Sequence, residues 1–202
     1  MFNWSWEKWK WIGWASGIIM PAYLLLQRFQ PFQVHVLTPQ AIDHSISFQL
    51  WAFWPYQSLY IYSASLLFLM PNKDSDKRFF FLYLFTALSC FVLFFTWPTS
   101  IQRPQSAGLP AYYRWFVQVE KEGNAFPSMH VALAGIALYA AWDALKSVKL
   151  KLIFGAWMLL ICFSTLVLKQ HLVLDVLGGL VIALLIALID RIFFFKGEPS
   201  NA

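Results

Sequence analysis

The chemistry open to this sequence is concentrated in two short stretches, each built on a histidine. In "KQHLVLD", Lys169 to Asp175, a histidine precedes an aspartate by four residues. On a helix that spacing puts His171 and Asp175 on one face, one turn apart. A carboxylate there can accept the Nδ1–H of the imidazole, which fixes the tautomer and leaves the Nε2 lone pair outward, as a nucleophile or base requires. The second stretch, "FPSMH", ends on His130. Pro127 closes a loop, Ser128 is a good N-cap, and "VALAGIALYAAW" continues as a helix, so His130 falls in the first turn. The unpaired N–H groups and partial positive charge of a helix start favour an anion. The same holds at His171, and two such starts facing one another would share one anion, with phosphate the expected choice. Taken alone, either stretch also fits a blander reading: an aspartate solvated at an interface, or a histidine at a membrane boundary.

The elements that must position these residues are membrane helices. The chain has 202 residues, 59% of them hydrophobic and only 12% charged, about half the charge of a soluble domain. Leu50–Met70 and Phe79–Trp97 are uncharged runs long enough to cross ~30 Å of hydrocarbon as helices. Ile12–Leu26, Ser128–Trp142, Leu152–Leu168 and Leu172–Ile189 are similar, giving six expected spans near 12–26, 50–70, 79–97, 128–142, 152–168 and 172–189 of a single domain. Backbone polar groups must be paired within lipid, so the spans are helices and the fold class is all-α. An ionised aspartate in such a span costs ~2.5–3.5 kcal/mol on insertion scales, so Asp175 reads as functional.

The opening "MFNWSWEKWK", residues 1–10, reads as an amphipathic lead-in at the headgroups and carries no cleavage site. Basic residues set the orientation. Lys8, Lys10, Lys73, Lys77, Arg78, Lys146, Lys149, Lys151, Arg191 and Lys196 fall on one side, against Arg28, Arg103, Arg114, Lys121 and Lys169 on the other. Both termini are therefore expected in the cytoplasm and the histidines on the extracytoplasmic side. A chain of this size with so little soluble mass reads as a multi-pass protein of a bacterial inner (cell) membrane, its site facing the periplasm or exterior. The net charge of +5 follows from topology, and no basic stripe for nucleic acid is present. Cys90 and Cys162 lie within apolar spans and read as small core residues, without a disulfide or metal.

The loop from Pro98 to Pro127 is the longest stretch outside the spans. Within it, Glu120–Gly123 and Asn124 read as solvated, and Tyr112, Tyr113 and Trp115 as aromatics able to rest on the membrane surface and guide an acyl chain. Phe79–Phe81 and Phe193–Phe195 read as lipid-facing belts. "LGGL", Leu177–Leu180, reads as a place for close helix packing behind the site.

Read together, "RP" (Arg103-Pro104), "PSMH" (Pro127–His130) and Ser164, His171 and Asp175 resemble the three-part signature of the type-2 phosphatidic acid phosphatase superfamily. That signature reads K-x6-R-P, P-S-G-H and S-R-x5-H-x3-D, and the resemblance runs from about the third helix to the sixth. It implies a two-histidine mechanism with no metal or other cofactor. His171 would attack phosphorus and form a phosphohistidine, Asp175 would steady it, and His130 would protonate the departing oxygen and then activate the acceptor. Arg103 and Ser128 match phosphate-binding positions of the family. Three positions depart from the signature: Thr96 stands where the lysine falls, Thr165 where the arginine falls, and Met129 replaces the glycine. Lys169, one turn beyond Thr165, is a replacement cation or an interfacial anchor that snorkels. The form "ST…KQH…D" looks more like the inositol phosphorylceramide and sphingomyelin synthase branch, in which an alcohol takes the transferred group.

The expected partner is thus a lipid phosphate or phosphodiester. Two other classes fit the spans: a proton-coupled transporter, and a catalytically silent lipid-binding scaffold of the same fold. The transporter predicts polar residues along the helix centres, where the second and third spans carry only neutral Ser, Thr, Gln and Tyr.

Overall fold

A computed structural model describes residues 5–121 and 123–193. The first four residues of the expected lead-in, Glu122, Phe194, Phe195 and Lys196 lie outside the described residues. The elements in chain order are α1 (Trp6–Leu26), β1 (His35–Val36), α2 (Ala41–Ser45), a 3-10 turn (Leu50–Ala52), α3 (Phe53–Gln57), α4 (Leu59–Phe68), α5 (Lys73–Thr96), β2 (Thr99–Ser100), α6 (Ala111–Val119), α7 (Met129–Ala141), α8 (Val148–Val167) and α9 (Val173–Phe193).

Among the described residues three helices, α5, α8 and α9, are long and apolar enough to cross a membrane, and α7 is a shorter apolar helix of 13 residues. The run expected as one span over 50–70 is divided into the 3-10 turn, α3 and α4, with Ser58 between the last two. There the Ser58 hydroxyl donates to the Pro55 carbonyl at 2.6 Å and accepts the Trp157 indole N–H at 2.8 Å. A side chain bonding its own backbone competes with the helical ladder at such a point.

The short α7 is the hub. It packs on α4, α5, α8 and α9, and a helix apolar on every side belongs in the interior. Its alanines and Gly135 let neighbours approach, for a Cβ on Gly135 would stand 3.1 Å from the Ala183 methyl. The outer helices turn their remaining apolar residues away from the core. On α5 the exposed stripe is Phe81, Phe85, Leu88, Val92 and Phe95, a helical face suited to lipid.

The end opposite the histidines is fastened by two ion pairs. Lys8 is fully buried; its ammonium donates to the carbonyls of Leu67 (2.9 Å) and Met70 (3.0 Å) and to the Asp76 carboxylate. One side chain thus satisfies carbonyls left open at the end of α4 while tying α1 to α5. Arg78 holds Asp190 with two guanidinium nitrogens, and Tyr139 donates to the same carboxylate at 2.9 Å.

Three expectations change here. From Trp6 onward the lead-in is the first turns of α1, because Lys8 finds its partners inside the protein rather than at the headgroups. Phe79 and Phe80 are buried and only Phe81 is exposed, since α1 covers the face expected to meet lipid. In the 98–127 loop, which holds β2 and α6, Tyr112 and Trp115 are exposed as expected of surface aromatics but Tyr113 is fully buried, packing with Phe116 against Phe53.

Candidate active site

Where α7 and α9 begin, the loops converge on a strand of two residues. The Thr99 carbonyl accepts the backbone N–H groups of Gly123 (3.1 Å) and Ala125 (3.0 Å). Its hydroxyl oxygen accepts the N–H of Phe126 at 2.7 Å. These bonds hold residues 123–126 against β2, which itself pairs in parallel with β1, and so aim the Ala125 carbonyl.

Into that carbonyl His171 donates its Nδ1–H, at 2.8 Å. A carbonyl oxygen can only accept, so Nδ1 carries the proton and Nε2 keeps its lone pair. Asp175 is a charged neighbour rather than the bonded partner expected from the spacing. Its Oδ2 stands 3.7 Å from Nδ1 and accepts the Leu172 N–H at 2.7 Å. His171 is 7% exposed and Asp175 fully buried, so this charge acts across a short, dry distance.

The turn before His171 explains Lys169. Gln170 N–H donates to the Thr165 carbonyl and Lys169 N–H to that of Leu166, both at 3.0 Å, with Lys169 at φ +54°. This is a Schellman end to α8, in which the left-handed position usually falls to glycine. The Lys169 ammonium donates to the Asp43 carbonyl at 2.7 Å, leaving two of its three N–H donors for other partners. Asp43 also caps α9: Oδ1 accepts the Val173 N–H at 2.8 Å and Oδ2 the Gln40 N–H at 2.8 Å. The start of α9 is therefore not the open anion site that the sequence led us to expect, because two carboxylates already occupy its N–H groups.

The start of α7 is different. Ser128 makes no side-chain capping bond, and its hydroxyl is buried without a partner. His130 in the first turn stacks on Tyr56, ring centroids 3.9 Å apart, with Nε2 buried and unpartnered. The His130 and His171 rings lie within electrostatic reach of each other. Ser128 N–H donates to the Asp175 carbonyl at 2.9 Å, fastening the two helix starts together. This contact needs the glycines of "LGGL": a Cβ on Gly179 would run into the Ser128 carbonyl, and one on Gly178 into the Phe126 ring. Sequence and structure agree that these residues permit close packing.

Arg103 is half-buried and donates Nη1 to the Glu120 carbonyl at 3.0 Å. Its charge is felt by Tyr23, Tyr56 and Tyr113, so it lies within electrostatic reach of the ring stacked on His130. The two missing family cations are not recovered in place. Thr165 is fully buried with its hydroxyl on the Cys162 carbonyl, and Thr96 is exposed with its hydroxyl on Val92.

Two buried polar residues near the histidines carry other readings in the sequence. Tyr113 is fully buried beside Gln170, and neither the phenol nor Gln170 Oε1 has a partner. Burial pushes the Tyr113 phenol above its ordinary value, opposed by Arg103 and Gln170, so it remains a donor. Asn124 is buried and bonds the Tyr23 hydroxyl, which donates to Glu120 at 2.7 Å. Of the run expected to be solvated, Lys121 is exposed, whereas Gly123 and Asn124 are buried. The only sequence signal was polar residues next to "FPSMH"; their partners lie in α1, a hundred residues away. Among the described residues, Tyr62 OH in the apolar core apart, the buried side-chain atoms without a partner are Ser128 Oγ, His130 Nε2, Gln170 Oε1, Tyr113 OH and Asp175 Oδ1, all on the residues and loops around the two helix starts. Buried polar atoms are ordinarily paired, so such a group marks where a bound polar ligand supplies the partners.

Fold and site together describe a helical, apolar-surfaced protein with two histidines at neighbouring helix starts. A family model described as the PAP2 superfamily matches residues 22–189, and the chain belongs to that superfamily, the type-2 phosphatidic acid phosphatases. Membership supports phosphatase-type phosphoryl transfer on phosphate esters. Neither a curated protein nor a solved structure matches the chain.

Proposed function

We propose that this protein is a membrane lipid phosphatase or phosphotransferase that works through a phosphohistidine. Six helices cross the membrane, with both termini cytoplasmic and the histidines on the opposite face. The observation that carries the reading is the Nδ1–H of His171 held by the Ala125 carbonyl at 2.8 Å. It supports Nε2 as the nucleophile, beside the unpartnered His130 Nε2 and Ser128 Oγ.

In the first step the Nε2 lone pair forms a bond to phosphorus as the bond to the leaving oxygen breaks. His130 gives that oxygen a proton. The buried Asp175 carboxylate offsets the positive charge left on the phosphorylated imidazole. Arg103, Ser128, the start of α7 and the free N–H groups of Lys169 bind the non-bridging oxygens, the usual seat of phosphoryl-transfer catalysis. In the second step His130 takes a proton from water or an alcohol, the new oxygen bonds to phosphorus, and His171 leaves unmodified.

The acceptor is the finer question. Two of the family's cations are absent from this chain, and the neutral Gln170 amide, with the Tyr113 hydroxyl beside it, directly precedes His171. Neutral donors suit a phosphodiester with about one negative charge better than a monoester with nearly two. This favours transfer to an alcohol, as in the synthase branch. The test is incubation of purified protein with labelled phosphatidic acid, prenyl pyrophosphate and phosphatidylinositol, with and without an alcohol acceptor, beside His171→Ala. Inorganic phosphate from phosphatidic acid or prenyl pyrophosphate, or a phosphomonoester from phosphatidylinositol, signals hydrolysis, and an acceptor-dependent lipid product signals transfer. Equal behaviour of the two proteins on all three substrates overturns the nucleophile.

A further inference from the structure

A cavity of about 450 Å³ lies between α1, α4, α5 and α7. One end is lined by His130, Glu120 and Tyr23, the other by Trp11, Phe79 and Phe80. Tyr23 and Trp11 are twelve residues apart on α1, so the cavity runs ~18 Å along the helix axis at 1.5 Å per residue. Its wall is overwhelmingly apolar. The cavity exists because α1 packs along α5 but barely touches α4, while the Lys8 pair and the Tyr23–Glu120 bond pin α1 at both ends. The far end is closed by Trp11 against Phe80, centroids 4.8 Å apart.

We propose that this cavity holds one aliphatic chain of the phosphate-bearing lipid, and that Trp11 and Phe80 set the length it accepts. The proposal rests on the phosphoryl-transfer reading above, since it places the head of that lipid at His130. Continuity supports it: the same imidazole that faces the site forms part of the cavity wall. The shape supports it as well, for the cavity is long and mostly apolar, its one carboxylate and one imidazole both at the histidine end and the Ser63 hydroxyl further along already bonded to Tyr83. A volume of this size lies in the range of single-ligand pockets. The gap between α1 and α4 gives the chain a sideways path from the surrounding bilayer.

The test uses the full-length protein in vesicles with a long-chain alkyl phosphate carrying a diazirine at its terminal carbon. Irradiation and peptide mapping are expected to place the label on Trp11, Phe79 or Phe80, competed by unlabelled alkyl phosphate and not by phosphatidylcholine. Labelling should be the same in His171→Ala, so a failed nucleophile and a failed cavity are told apart. Label confined to lipid-facing residues such as Val92 or Leu184, or competed equally by phosphatidylcholine, overturns the proposal. In the wild-type background, Ala64→Trp partway along the wall should lower the ratio of long-chain to short-chain turnover by ~10-fold. Trp11→Ala should move the preferred chain length upward. Ratios and preferred length unchanged in both variants also overturn it.

Discussion

The Nδ1 nitrogen of His171 donates to the carbonyl oxygen of Ala125 at 2.8 Å, while the Asp175 carboxylate stands 3.7 Å away. Orientation and charge thus come from two different residues, and they can be separated. Asp175→Asn keeps the tautomer and an oxygen for the Leu172 N–H but removes the charge. Its kcat should fall about 10²-fold, in line with losing one electrostatic contact in a dry site. His171→Ala should lose turnover entirely and accumulate no phosphoenzyme. If Asp175→Asn is as inactive as His171→Ala, the Ala125 carbonyl does not hold the ring on its own.

The same carbonyl depends on Thr99, whose fully buried hydroxyl accepts the Phe126 N–H at 2.7 Å. Thr99→Val leaves that N–H buried and unpaired, at a cost of ~1–3 kcal/mol. Because the 123–126 segment then loosens, kcat should drop more than KM rises. Thr99→Ser restores the acceptor and should recover both stability and kcat. A Thr99→Ser protein no better than Thr99→Val would show that packing, not this hydrogen bond, governs the loop.

At the other end of the bundle, Lys8 and Asp76 are buried 0% and 2% exposed and paired. Removing one partner strands the other, so Lys8→Met and Asp76→Leu should each cost ~3–5 kcal/mol, whereas the double variant should recover much of it. Thermal unfolding of the four proteins in one detergent gives the coupling directly. Additive losses would mean that the Lys8 contacts to the Leu67 and Met70 carbonyls, rather than the ion pair, hold α1 in place.

How much of this could be read from the sequence divides along contact distance. The helical blocks of α5, α8 and α9 were legible because length and apolar character are local properties. "PSMH" and "KQHLVLD" were legible because each lies within two helical turns. Tyr113, Asn124 and Glu120 were not, since their positions depend on pairing with α1 and α3 across the loop. Lys8 and Phe80 were misread for a related reason. A basic residue near an aromatic run looks interfacial until a second helix is known to cover it.

Close approach of α7 and α9 gives a fourth prediction. A Cβ at Gly179 meets the Ser128 carbonyl, which is backbone and cannot move aside cheaply. Gly179→Ala should cost ~1–3 kcal/mol by overpacking and should lower activity, because it pries the start of α7 from α9. Gly155 on α8 has open space around it; Gly155→Ala should be neutral or raise stability by up to ~1 kcal/mol through helix propensity. Equal effects of the two substitutions would leave the glycine pair with no special role in bringing the histidines together.

Tyr113 separates function from stability most cleanly. Its phenol is buried with no partner, and an unsatisfied buried hydroxyl costs stability rather than supplying it. A residue kept only for packing would do as well as phenylalanine, so Tyr113→Phe should unfold at the same temperature or higher. If the hydroxyl instead donates to the bound phosphate ester, the same change should raise KM several-fold and leave the folded protein intact. Burial holds the phenol above its ordinary value; a group with a raised value stays protonated below it. The KM difference between Tyr113→Phe and wild type should therefore be constant from mildly acidic to mildly basic pH. A KM ratio that vanishes toward higher pH, or a Tyr113→Phe protein with unaltered KM, would remove Tyr113 from the binding site and leave Arg103 and Ser128 to hold the anion.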